Sequence, residues 1–266
     1  MNRLITGLTA ASLWCGILYI QSFGLLWFFV FIVGLIALYE YYNICLPQYS
    51  PMTRLTAVAV SSLPILSTFQ ASTDYLLASI FLALLLFILL AIFLPTVAAS
   101  QKETFLLKST AGLFLVSLCA SHVPLLVTLE DGFFWLGLLT TITIASDTGA
   151  YYTGTNFGVH KLCPSISPGK TIEGLIGGMI CSMFFAWIYK VIFLQNQDTV
   201  KIMVLTVFIC LVGVCGDLTE SIVKRANNTK DSGSLLPGHG GILDRVDSVL
   251  ASAPALFYCI ALGFMY

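Results

Sequence analysis

The sequence predicts an all-α, polytopic integral membrane protein of about nine transmembrane helices. Three observations predict it. Of 266 residues, 58% are hydrophobic and 9% are charged, against about 25% charged in ordinary soluble domains. Mean hydropathy is +0.94, which leaves too little polar surface for a soluble fold. The apolar residues are gathered into runs close to the ~20 needed to cross a bilayer core as a helix.

Nine runs qualify: 4–20, 24–44, 54–70, 75–97, 107–128, 132–152, 173–194, 201–223 and 249–266. The first carries Arg3 ahead of it, and no small-x-small cleavage site precedes a soluble domain, so it reads as a spanning helix rather than a leader. Only Gln21-Ser22-Phe23 separates it from the second, so the two form either a tight hairpin or a re-entrant pair. Pro64 and Pro124 fall inside the third and fifth runs and predict kinks, because proline has no N–H to donate. The fourth, Tyr75 to Val97, meets no charge until Lys102. The sixth contains Asp147, which needs a partner or a wet cavity at that depth. The organisation expected is 1–130 as N-terminal transmembrane helices and 131–266 as a C-terminal transmembrane catalytic region, a helical bundle. Small-residue runs, 174–178 and 213–216, suit close helix packing. Eight scattered cysteines show no disulfide or zinc spacing and read as small apolar residues.

Positive charge orients the chain. With the N-terminus in the cytoplasm, that side holds Arg3, Arg54, Lys102, Lys108, Lys161, Lys170, Lys224, Arg225, Lys230 and Arg245. The far side holds only Lys190 and Lys201. Both polar loops, 153–172 and 224–248, then face the cytoplasm. A multi-pass protein of the inner (plasma) membrane is expected, with its active site on the cytoplasmic side and no nucleic-acid partner.

The chemistry concentrates in SIVKRANNTKDSGSLLPGHGGILDRVD, residues 221–247. Just upstream, Asp217, Glu220, Ser221 and Lys224 recur at i, i+3, i+4 and i+7, one polar stripe on an apolar helix. Asp244 and Asp247 open the next helix, so Asp217 and Asp244 sit near the cytoplasmic ends of consecutive antiparallel helices. Carboxylates brought together repel unless a cation lies between them. Oxygen-only donors suit Mg²⁺, which binds through one or two carboxylates plus substrate phosphates. Lys224, Arg225, Lys230, His239 and Arg245 surround these acids, as a nucleoside triphosphate or a phospholipid headgroup requires. Pro237-Gly238-His239-Gly240-Gly241 offers bare backbone amides to phosphate. A plainer reading of the stripe is an Asp–Lys pair that only locks two helices together.

The second polar stretch holds Ser146-Asp147-Thr148 and then Ser167-Pro168-Gly169-Lys170-Thr171-Ile172-Glu173-Gly174. Gly169-Lys170-Thr171 is not a Walker A loop, which needs glycine where Pro164 stands. A helix N-terminus beside Lys170 remains a candidate anion site; Lys170 also has a plainer reading as a side chain snorkelling to headgroups. His160 flanks this loop, and His122 lies near a kink.

Ser221-x-Val223-Lys224-Arg225, Lys230-Asp231-x-Gly233 and Leu236-Pro237-x-His239-Gly240-Gly241-Ile242-x-Asp244-Arg245-Val246-Asp247 together resemble the signature of the phosphatidate cytidylyltransferases (CDP-diacylglycerol synthases). Ser146-Asp147-Thr148 and Ser167-Pro168-x-Lys170-Thr171-x-Glu173-Gly174 look like a second motif of that family, with Gly169 where many members carry Lys or Asn. The motifs cover roughly the C-terminal half; the N-terminal helices match in hydropathy alone. The resemblance implies CTP and phosphatidate as substrates, CDP-diacylglycerol and pyrophosphate as products, Mg²⁺ with K⁺ as a second cation, and a homodimer. It implies metal ligation by Asp217, Asp244, Asp247 and Glu220. Catalytic charge falls to Lys224, Arg225, Lys230, His239 and Arg245, and substrate contact to Asp147, Ser167, Lys170, Thr171, Ser221, Gly240 and Gly241. Two other readings remain. One is a transporter with an ion path lined by Asp147, Asp217 and Asp244, against which stands the gathering of polar motifs at one face. The other is an enzyme that uses CTP on a different lipid.

Overall fold

The computed structural model describes residues 2–94, 98–233 and 240–265, with side chains from residue 7 onward. Helices dominate: α1 (Asn2–Ile20), α2 (Phe23–Cys45), α3 (Pro51–Ser61), α4 (Leu63–Ser67), α5 (Thr73–Phe93), α6 (Ala99–Gly112), α7 (Cys119–Leu126), α8 (Gly132–Phe157), α9 (Ile172–Phe193), α10 (Thr199–Ala226) and α11 (Leu243–Ala261). Among the described residues each apolar run is mainly helical, but nine spans are not confirmed. Among the described residues, six helical stretches are long and apolar enough to cross a membrane: Phe23–Cys45, Pro51–Gln70, Thr73–Phe93, Ala99–Leu126, Ile172–Phe193 and Thr199–Ala226. The physical reason lies in the other three. In α1 only Gly7–Ile20 falls among the residues with described side chains. The second half of α8 reads Thr-Gly-Ala-Tyr-Tyr-Thr-Gly-Thr-Asn, and α11 opens with Asp244, Arg245 and Asp247 and contains Pro254.

The chain forms two compact units, Met1–Thr128 with Ala226–Arg245 and Leu129–Arg225 with Val246–Tyr266. In the first, α2 is the element that others pack on. Tyr42 on α2 shares a 2.6 Å hydrogen bond with Ser61 and donates to the Ser109 carbonyl at 3.0 Å. A helix break coincides with the first of the two expected kinks. Pro64 lies at the start of α4, just after the helix breaks at Ser62. Pro124 sits inside α7, which follows a π-helical turn over Leu113–Leu118. The Ser117 hydroxyl of that turn donates to the Ser61 carbonyl, and Ser121 donates to the Ser117 carbonyl at 2.7 Å, so side chains meet backbone carbonyls where the helices are irregular.

In the second unit, α8 and α9 lie against each other through bare backbone. A Cβ on Gly149 would stand 2.6 Å from the Cys181 Cβ and 2.9 Å from the Gly177 carbonyl oxygen, closer than side chains tolerate. The loop between these helices is not irregular throughout. Strands β1 (Lys161–Cys163) and β2 (Ser167–Thr171) form a short antiparallel hairpin, Lys161 opposite Thr171 and Cys163 opposite Ser167. Glu173 at the start of α9 fastens it, accepting from the Val159 and His160 amides and pairing with His160 Nδ1 at 2.6 Å.

Candidate active site

The polar stripe on α10 meets α11 at a glycine. A Cβ on Gly216 would come within 2.3 Å of the Ala251 Cβ and 3.0 Å of the Asp247 carbonyl oxygen, so only glycine lets these backbones approach so closely. The next residue, Asp217, is thereby carried to Asp247. One carboxylate oxygen from each of Asp217, Glu220 and Asp247 lies within 4.8 Å of the other two. Glu220 is buried and the two aspartates are partly covered.

Two ammonium groups flank this trio. Lys170 on β2 places its Nζ 2.5 Å from Asp217 Oδ2, and Lys224, one turn beyond Glu220, places its Nζ 3.1 Å from Glu220 Oε2. Ser221 Oγ lies 3.4 Å from Asp217 Oδ1, a long contact. Asp247 Oδ1 accepts from the Ser248 amide at 2.6 Å. Burial first, and then the charge of Asp217, push the Asp247 carboxyl up to about 6 from 3.8; Asp147 adds a smaller push in the same direction. A carboxyl held up in this way marks excess negative charge in a low-dielectric place, which a bound cation relieves. Three convergent oxygen donors with no sulfur or imidazole among them fit a hard divalent ion such as Mg²⁺.

The other sequence-predicted residues of this unit fall around the trio in different ways. Asp147 shares a small polar cleft with Thr143, Ser146, Cys210, Gly213 and Ser248, and Ser146 Oγ meets Cys210 Sγ at 3.1 Å. Thr171 is buried as the N-cap of α9, accepting from the Gly174 amide at 3.1 Å. At this helix N-terminus, where an anion is expected from sequence, the Thr171 hydroxyl takes the Gly174 amide, and Lys170 beside it is paired with Asp217. Ser167 lies half-buried on β2, and Arg225 Nε contacts the carbonyl of Ile166 next to it at 3.4 Å.

In the first unit, the segment after α10 is fastened to the N-terminal helices. Lys108 on α6 donates to the Cys45 carbonyl at 2.7 Å and to Asn227 Oδ1 at 2.9 Å. Glu40 on α2 is 5% exposed. Its Oε1 accepts from the Ile242 amide at 3.0 Å, and its Oε2 accepts from the Leu243 amide at 2.9 Å and from Ser232 Oγ at 3.1 Å. Asp244 works beside it: its Oδ2 accepts from the Ser232 amide at 2.9 Å and the Gly241 amide at 3.0 Å.

Asp244, expected with Asp217 among the metal ligands, has its Oδ2 on the Ser232 and Gly241 amides, while Asp247, one helical turn on and also among the expected ligands, belongs to the three-carboxylate group. The Gly241 amide, expected to meet phosphate, is engaged by Asp244. Gly240 has φ +82°, the left-handed region that glycine enters without strain. Lys230 and Arg245 are exposed on this segment. His239, with Pro237 and Gly238, lies outside the described residues. Glu40 was missed altogether. Its signal was present, since it is the one charged side chain of α2 and an ionisable group in an apolar run calls for a partner.

Comparison with known proteins agrees with this picture. The model of the Cytidylyltransferase family matches residues 1–262. The phosphatidate cytidylyltransferase of Bacillus subtilis is 31% identical over 276 aligned positions, covering 98% of this chain and 97% of that protein. The enzyme of the same name from Staphylococcus haemolyticus is 32% identical, covering 96% of each chain. That of Haemophilus influenzae is 44% identical over 48% of this chain and 46% of its own length. The chain belongs to the cytidylyltransferase family.

Proposed function

We propose that this membrane-embedded member of the cytidylyltransferase family converts CTP and phosphatidate into CDP-diacylglycerol and pyrophosphate, at the cytoplasmic face of the inner (plasma) membrane. The observation that carries the reading is the trio Asp217, Glu220 and Asp247 with Lys170 and Lys224 on its flanks. Acids and bases interleaved at this density suit a polyanionic substrate and its cation, and neither a helix lock nor an ion path needs them.

The reaction joins two phosphates. An oxygen of the phosphatidate phosphate attacks the α-phosphorus of CTP, the bond from that phosphorus to the bridging oxygen of the β-phosphate breaks, and pyrophosphate leaves. A phosphate monoester has its second pKa near ~6 and is largely dianionic at neutral pH, so no protein base is required. Bringing two polyanions together is the difficulty. Asp217, Glu220 and Asp247 would hold a Mg²⁺ ion, which would supply charge neutralisation and alignment for the phosphate oxygens. Lys170 and Lys224, each already against a carboxylate, are placed to share their charge with substrate. Arg225 adds to that charge, and Lys230, His239 and Arg245 are assigned to phosphate by their positions in the motif. The reading includes K⁺ as a second cation and a homodimer, both carried by the resemblance of the motif.

The test is direct. Membranes containing the chain, given labelled CTP, phosphatidate and Mg²⁺, should form a labelled CDP-lipid and release pyrophosphate. Label that stays in CTP with phosphatidate, but moves to another lipid, would replace the substrate; no transfer to any lipid would overturn the reading.

A further inference from the structure

We propose that Glu40 is a positioning residue for the nucleotide: its carboxylate, from an N-terminal helix, holds Ser232 and the Ile242–Leu243 backbone, and with them the neighbouring Lys230 and Arg245, in the arrangement that meets the phosphates of CTP. The inference rests on the function proposed above. A buried carboxylate is costly unless its oxygens are satisfied. Glu40, 5% exposed, is satisfied by the loop alone in the contacts it makes: two successive amides, Ile242 and Leu243, and the Ser232 hydroxyl. The two amides open α11, where no earlier carbonyl of that helix can receive them, so Glu40 caps α11 from a helix 202 positions earlier in the chain. Its negative charge there also meets the positive end of the helix dipole.

Two glycines of the loop are explained by the same side chain. A Cβ on Gly233 would stand 2.5 Å from Glu40 Oε1, and one on Gly241 would stand 2.5 Å from Oε2 and 1.9 Å from Ser232 Oγ. Both glycines are bare because the carboxylate lies against them. Ser232 ties the arrangement together: its hydroxyl donates to Glu40 and its amide to Asp244. Ser232 and Gly241–Leu243 are thus held by two carboxylates, only one of which, Asp244, comes from this part of the chain. Fixing them in advance lowers the ordering cost of seating the nucleotide. Glutamine at position 40 cannot do this, since its amide nitrogen would face a backbone N–H.

The experiment uses the full chain purified in lipid–detergent micelles. Glu40→Gln should raise KM for CTP by about tenfold or more, the expected loss for hydrogen bonds to a charged acceptor, while KM for phosphatidate stays within about twofold. Hydrogen exchange should show lost protection at the Ile242 and Leu243 amides. Equal weakening for both substrates, or unchanged KM for CTP, overturns the positioning role. If the wild-type chain makes no CDP-lipid, the proposed function fails first, and exchange at those two amides still decides whether Glu40 holds the loop. A paired variant covers misfolding of Glu40→Gln. Gly233→Ala should weaken CTP use by its clash with Glu40, and adding Glu40→Asp, one methylene shorter, should restore part of it; a double variant no better than Gly233→Ala contradicts the mechanism.

Discussion

Glu40 and Asp244 in the first unit, and Asp217, Glu220 and Asp247 in the second, are all carboxylates on helices of an apolar chain, yet their neighbours differ in kind. The oxygens of Glu40 and of Asp244 meet backbone amides and a hydroxyl. The oxygens of the other three gather within 4.8 Å of one another and beside two lysines, with the Ser248 amide and the Ser221 hydroxyl as further neighbours. The first set is neutralised by fixed dipoles and closes a loop. The second is left with surplus negative charge, which a cation would balance. What surrounds a carboxylate, more than its place in a motif, decides which work it does.

The sharpest way to break this contrast is to remove a charge from the trio. Asp217→Asn or Asp247→Asn should lower turnover by about a thousandfold, several kcal/mol of transition-state stabilisation, while the protein still elutes as a folded species in detergent. Near-normal Mg²⁺-dependent activity in both variants would remove the trio from the metal assignment.

A subtler break leaves every carboxylate in place and moves one. Gly216→Ala puts a Cβ against Ala251, an overpacking cost of about 1–3 kcal/mol. It should shift Asp217 relative to Asp247, and a Mg²⁺ titration of activity should move to higher concentration. Unchanged Mg²⁺ dependence with lowered melting temperature would mean the glycine serves packing alone.

Proton competition gives the next contrast. The Asp247 carboxyl is pushed up to about 6, so between its ordinary 3.8 and that value the folded chain holds a proton that the unfolded chain has lost. Metal-free protein should therefore lose stability as pH rises through this window. Added Mg²⁺ should raise the melting temperature more at pH 7.5 than at pH 5. The same gain at both pH values would detach Asp247 from cation binding.

The smallest effect is expected at the hairpin. Thr171→Ala removes the N-cap of α9 at a cost of about 1 kcal/mol, to be read as a melting temperature lower by about 2–4 °C. A much larger fall would give Thr171 a wider role than capping.

Some of this was open to reading along the chain. Asp217, Glu220 and Lys224 lie on one face of α10 by helical spacing alone, and the Lys224–Glu220 ion pair follows from it. Lys170 was visible as a cation at the second motif, but not as the partner of Asp217, because that pairing requires β2 to fold back over the end of α10. Thr171 was legible as polar and near a helix start, and its capping geometry was not. Nine spans are not confirmed: six helical stretches among the described residues are long and apolar enough, while α8 and α11 carry polar side chains along their length.

The sequence by itself determined the membrane class, the helical fold, the family and the polar stretch that carries the chemistry, since hydropathy, helical period and motif spacing are properties of neighbouring residues. Only the tertiary structure decided that Asp247 completes the carboxylate trio while Asp244 closes a loop, and that Glu40 reaches amides 202 positions away. A carboxylate goes where unpaired donors or a cation balance its charge, and which of these lies within 3 Å is settled by how distant segments meet.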